Sequence, residues 1–108
     1  MTTTYFVGFG YSIGNDGEVL SPAARQDFLS DVVAAIESVG GDIFSNTIGN
    51  GRWVGDDGVE VIETCSTVGF TAEDLPGVFE DRLARLATKY GQEAIALTTG
   101  STTFVSPA

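Results

Sequence analysis

Apolar residues in this chain change period four times, and the order of those changes constrains the fold more than any single motif. Over Thr3–Tyr11 they alternate, over residues 22–39 they recur at helical spacing, and over 42–54 and 59–70 they read as two strands. A second helical stripe follows over 75–90, and a last strand over 93–105. The order is β-α-β-β-α-β. Helices placed between strands in this way pack on one face of an antiparallel sheet.

The expected architecture is therefore an α+β, ferredoxin-like sandwich, a four-stranded antiparallel sheet with two helices on one face, spanning 1–108 as one domain. In this topology the first and third strands are central and the second and fourth are edges. Tyr5, Val7, Phe9 and Tyr11 then form one bulky face of the first strand, while Phe6, Gly8 and Gly10 leave the other nearly bare.

Local signals agree. Ser21-Pro22 starts the first helix, serine capping free amides and proline losing no hydrogen bond at the first helical position. Phe28, Leu29, Val32, Val33, Ile36 and Val39 supply its apolar stripe, and Gly40-Gly41 ends it. Thr71 with Asp74 reads as a capping box for the second helix, whose buried stripe is Leu75, Phe79, Leu83, Leu86 and Tyr90, with Gly91 as its stop. Gly49 and Gly51 interrupt the second strand and predict a bulge or bend there, with Trp53 covering it. Asn15-Asp16-Gly17 and Gly55-Asp56-Asp57-Gly58 are turn signals, the first inside a loop or small hairpin over residues 12–20.

The charge excludes whole classes of partner. Fifteen acidic and five basic groups give −10, which disfavours nucleic acid and anionic membrane, both of which require a basic surface. No apolar run approaches the roughly 18 residues that span a bilayer, and Met1–Tyr5 lacks the basic and apolar regions of a signal peptide. A cytoplasmic location is expected, or host cytoplasm or a virion if the chain is viral. Lysine occurs once, at Lys89, and the single Cys65 permits no internal disulfide.

Histidine is absent, which removes Ser-His-Asp and Cys-His catalysis and the commonest zinc ligand. Cys65 falls in a predicted central strand and reads as a small core residue. Gly8-x-Gly10-x-x-x-Gly14 follows a strand, yet a dinucleotide loop needs a helix opening within it, and here the helix waits until Ser21. The glycines instead allow a helix or partner to approach the sheet closely. Val7-Gly8-Phe9-Gly10-Tyr11 resembles the aromatic strand of RNA-recognition modules, but it lacks the basic residue and lies on the wrong strand. Asp56, Asp57, Glu60 and Glu63, and the Asn15–Glu18 turn, match no calcium-loop spacing and read as solvated, so neither metal nor cofactor is expected. Glu63 stands apart: it falls mid-strand among apolar positions, where it can pair across strands with Arg52 or line a shallow site.

Phe9-Gly10, Asp16-Gly17-Glu18-Val19, Phe28-Leu29, Gly51-Arg52-Trp53 with Gly58 and Glu63, and Tyr90-Gly91-Gln92-Glu93-Ala94 together resemble a family of short uncharacterised α+β proteins of bacterial and phage genomes. The resemblance implies the same ferredoxin-like fold and carries no activity. The resulting expectation is a small acidic non-enzymatic accessory protein, plausible as a phage product, engaging a protein partner or a second copy through its open sheet face. Phe6, Tyr11, Arg52, Trp53 and Glu63 are its candidate binding residues. The alternatives are a domain binding a small metabolite or nucleotide, a minor virion component, or an enzyme drawing on Glu63, Arg52, Tyr90 or Gln92.

Overall fold

The computed structural model describes residues 2–13, 18–54, 57–100 and 107, without the side chains of Trp53 and Val61. Strand β1 (Thr3–Gly10) leads into a short hairpin of β2 (Ser12–Ile13) and β3 (Glu18–Val19), then α1 (Pro22–Ser38). The long strands β4 (Asp42–Val54) and β5 (Glu60–Ala72) follow, then α2 (Gly77–Lys89) and β6 (Ala96–Gly100). The main sheet has the order β4-β5-β1-β6, all neighbours antiparallel. This is the expected ferredoxin-like arrangement, with β1 and β5 central. The turn at Asn15–Gly17, Gly55-Asp56, the Trp53 side chain and residues 101–105 of the last strand lie outside the described residues.

Alternation places the core. Tyr5, Val7, Phe9 and Tyr11 point to the helices together with Ser66, Val68 and Phe70 of β5, and all are buried. Phe28, Val32, Ala35 and Ile36 of α1 and Phe79 and Leu83 of α2 close over them. Phe28 is the hub. Its ring stacks on Tyr90 at 4.3 Å and 9° and lies 4.6 Å from Phe9. Tyr90 in turn donates to Asp31 Oδ2 at 2.5 Å, and Lys89 Nζ reaches the same oxygen at 2.8 Å, tying the end of α2 to α1.

Helix signals hold for α1 and fail in part for α2. Ser21 Oγ accepts from the Ala24 amide at 3.1 Å, and Gly40 takes φ +76° at the other end. Thr71 does not cap α2. It continues β5, paired with Thr4, and the helix starts at Gly77 with Pro76 at the N-cap position and no side-chain cap. The strand gains a ladder partner there, which outweighs a local cap. The β4 irregularity falls between Ile43 and Ser45 rather than at the glycines. Gly49 and Gly51 stay in register opposite Cys65 and Glu63.

Candidate functional site

The uncovered face of the sheet is built from very small residues. Gly8 and Gly10 of β1 alternate with the core side chains and so face away from the helices. Gly10 pairs with Cys65, Gly8 with Ala96, and Gly51 with Glu63, so all six lie on that face. The backbone is therefore left open across β4, β5, β1 and β6. A cavity of about 440 Å³ results, lined by Gly8, Gly10, Gly51, Cys65, Ala94 and Ala96 and bounded by Ser12, Arg52, Val54 and Gln92. Its size is within the range of small-molecule sites.

The charged residues on the cavity lining are Arg52 and Glu93. The Glu63 carboxylate lies behind that lining, packed against Gly10 and Ser12, which do border the cavity. Glu63 is 5% exposed, and its Oε2 accepts the Ser12 N–H at 2.7 Å. Its Oε1 is buried with no hydrogen-bond partner among the described residues. The carboxylate fills the space where a side chain on residue 10 would begin: a Cβ on Gly10 would stand 2.6 Å from Oε2 and nearer still to Oε1. A carboxylate oxygen left dry and unpaired is costly, of order 1–3 kcal/mol or more.

Cys65 is a correction to the sequence reading. It is not a core residue but lies half-buried on the open face, with its Sγ 3.0 Å from where a Gly51 Cβ would be. Burial, and then the Glu63 charge, push its thiol above the ordinary range, which lowers its thiolate fraction and hence its reactivity.

The other candidates separate. Tyr11 is 4% exposed on the helix side, its hydroxyl hydrogen-bonded to Ser66 Oγ, so it is no surface residue. Arg52 pairs in register with Ile62, on the opposite side of the hairpin from Glu63, and its Nε meets Glu60 Oε1 at 2.7 Å. The Arg52–Glu63 pairing is thus replaced by Arg52–Glu60. Phe6 is on the open face, edge-on to Phe44 at 5.8 Å, outside the cavity lining. Trp53 pairs with Val61 through the backbone. Gln92, which the sequence offered only as one member of an enzyme alternative, bounds the cavity and donates to Ser12 O at 2.7 Å.

No protein-family profile matches the chain, and no curated protein matches it. Solved structures do. A phage SAM lyase in complex with S-methyl-5'-thioadenosine matches with a TM-score of 0.65 at 16% identity, covering 92% of this chain and 80% of that one. A phage SAM lyase in the apo state matches with a TM-score of 0.55 at 15% identity, over 96% and 92%. At such identity the likeness is one of fold. It nonetheless overturns the expectation of a non-enzymatic accessory protein, because the fold from which that was argued is an enzyme's in both matched structures. The resemblance to uncharacterised bacterial and phage proteins gains an α+β fold shared with phage proteins and no family. One of the matched structures is in complex with a small molecule, S-methyl-5'-thioadenosine, and neither match supports the expected protein partner or homodimer. None of the described helices is long and apolar enough to cross a membrane.

Proposed function

We propose that this protein is a lyase acting on SAM (S-adenosylmethionine), and that it binds the adenosyl thioether portion in the open-face cavity. The observation that carries the reading is the small-residue cavity on the open sheet face, with the buried Glu63 carboxylate held by Ser12 directly behind its lining and its Oε1 without a partner among the described residues. The fold shared with a SAM lyase bound to S-methyl-5'-thioadenosine supports it.

The chemistry suits the residues present. SAM carries a positively charged sulfur. Breaking its bond to the aminocarboxypropyl chain returns the electron pair to sulfur and leaves neutral S-methyl-5'-thioadenosine. The chain's own carboxylate closes on the carbon that sulfur leaves, giving a five-membered lactone, and no outside nucleophile is consumed. A histidine-free site can therefore serve, provided it holds the substrate in the folded geometry such closure needs.

Glu63 has a definable part in this. Its charge, shielded from water by burial, is felt in the adjoining cavity and favours ligands bearing positive charge or hydrogen-bond donors. Beside sulfur it would stabilise the substrate more than a transition state in which the sulfur charge is fading. Its place is accordingly toward the α-ammonium or the ribose hydroxyls. The acidic surface adds a long-range bias toward cationic SAM and against phosphorylated nucleosides.

The test is incubation of the purified protein with SAM, with S-methyl-5'-thioadenosine followed by chromatography and mass spectrometry. Product should exceed the protein-free control, and Glu63→Gln should lower the rate by at least about tenfold. Added S-methyl-5'-thioadenosine at about 100 times its dissociation constant should stabilise the fold by about 2.7 kcal/mol. A thermal shift without product would leave a binding protein; neither product nor shift would end the reading.

A further inference from the structure

Gln92 lies just beyond α2, where Gly91 takes φ +65° and turns the chain toward β2. The corner is fixed by its own backbone, with the Gln92 N–H donating to Ala87 O at 2.8 Å and the Gly91 N–H to Thr88 O at 3.3 Å. It also packs on β2, since a Cβ at Gly91 would stand 3.1 Å from Ile13 Cγ2. From this base Gln92 Nε2 donates to Ser12 O at 2.7 Å and to Tyr90 O at 3.2 Å. Ser12 N–H then donates to Glu63 Oε2 at 2.7 Å. Three elements distant in sequence are thus joined in one line: the end of α2, the exit of β1, and the first part of β5.

We propose that Gln92 is a positioning residue for the Glu63 carboxylate. By holding Ser12 at its carbonyl, it fixes the residue whose N–H orients the carboxylate and so sets where that charge stands behind the cavity lining. The proposal rests on the reading of Glu63 as the charge felt by the ligand. Burial alone does not orient Glu63: among the described residues its Oε2 accepts the Ser12 N–H and its Oε1 has no hydrogen-bond partner. Residue 12 follows directly on the β1 ladder, whose last interstrand bond, Tyr11 N–H to Thr64 O at 3.1 Å, precedes it. Without Gln92, Ser12 would be anchored from β2 through its pairing with Val19 and from the neighbouring ladder alone.

The deciding experiment combines amide hydrogen exchange with a double-mutant cycle. Gln92→Met keeps the length of the side chain and removes both donated bonds. Exchange at the Ser12 amide should rise about tenfold, the scale of one net hydrogen bond, with Val7 and Phe70 amides unchanged. Binding of S-methyl-5'-thioadenosine should weaken by about tenfold in Gln92→Met, yet by less than about twofold when the same change is made in Glu63→Gln, because the two then act through one group. Gln92→Lys, which retains a donor within reach of the Ser12 carbonyl, should keep most of the Ser12 protection and guards against a Met variant that fails to fold. Unchanged Ser12 exchange, or an equal loss of binding in both backgrounds, overturns the proposal. If the wild type binds no S-methyl-5'-thioadenosine, the function proposed above falls, while exchange at Ser12, and its response to Glu63→Gln, still decides the clamp.

Discussion

Replacing Gly10 by alanine adds one methyl group and should disable the wall of the cavity. The new Cβ would stand 2.6 Å from Glu63 Oε2 and closer to Oε1 and Cδ. An ordinary carbon–oxygen approach is about 3.3 Å, so Oε2 has to retreat by roughly 0.7 Å and Oε1 by more. The carboxylate ends a flexible side chain and can swing, but swinging lengthens its 2.7 Å bond to the Ser12 N–H beyond useful range. Losing a hydrogen bond to a charged group costs about 1.5–3 kcal/mol. Residual crowding in a buried place adds about 1–2 kcal/mol. Alanine recovers about 0.5–1 kcal/mol by restricting the unfolded chain. The net loss is about 2–4 kcal/mol, or a fall in Tm of about 8–16 °C for a domain of this size. Gly8→Ala is the control. Its Cβ would meet only Ala96 Cβ, at 3.8 Å, an ordinary contact. It should leave stability within about 0.5 kcal/mol while placing a methyl group in the cavity. Urea titrations of both variants give the comparison, and Glu63→Asp in the Gly10→Ala background should recover part of the loss by withdrawing the carboxylate. The reasoning is refuted if Gly10→Ala unfolds at the wild-type midpoint, or if the aspartate gives no recovery.

Tyr11→Phe should cost about 1–3 kcal/mol, because it strands the fully buried Ser66 hydroxyl; binding of S-methyl-5'-thioadenosine should be unaffected, and a selective loss of binding would return Tyr11 to the site. Asp31 is held below the usual carboxylate range, first by the hydrogen bond from Lys89 and then by that from Tyr90. Its contribution is therefore present above the unfolded value of about 3.9 and lost as pH falls through the lower folded value. Urea midpoints measured between neutral pH and pH 2 should show that loss in the wild type and not in Asp31→Asn, with an amplitude below about 1 kcal/mol because the pair is partly exposed. Cys65 should react with iodoacetamide more slowly at pH 7.5 than an unstructured cysteine peptide, since its thiolate fraction is lowered, and more slowly again with S-methyl-5'-thioadenosine present; unhindered alkylation in both conditions would place it elsewhere than on the cavity wall.

Most of the architecture was legible because it follows from periodicity. The alternation in β1 alone separates Tyr5, Val7 and Phe9 from Gly8 and Gly10, and the structure keeps that division. Applied strictly, the same parity puts Tyr11 with the core, so naming it a surface residue went against the pattern of its own strand. Cys65 and Arg52 depended on register instead. The β4–β5 turn is too long for its sequence to set the pairing, and only the pairing of Gly51 with Glu63 shows that Arg52 points the other way and that Cys65 faces outward. Thr71 carried a genuine capping signature that lost to strand pairing with Thr4. Of the site, Glu63 was visible as a carboxylate out of place in an apolar strand. Gln92 was visible only as a residue type, because its partner Ser12 lies 80 residues away in the chain.

The glycines show why the function was harder to read than the fold. Gly8 and Gly10 resemble a phosphate loop only in spacing, and the absence of a following helix rightly removes that reading. What they do in the structure depends on Gly51, Cys65 and Ala96, which lie on three other strands and meet them only through the register. A run of small residues within one strand is weak evidence; small residues on one face of four adjacent strands, at successive register levels, make a cavity. The inference from missing histidine fails for a related reason. Residue types exclude mechanisms that require an enzyme nucleophile or a proton shuttle, and a substrate carrying both its own leaving group and its own nucleophile requires neither. On the reading proposed here, the protein's task reduces to shape and charge: a bare sheet face to receive the ligand, and one dry carboxylate, held by Ser12 and Gln92, to fix its orientation.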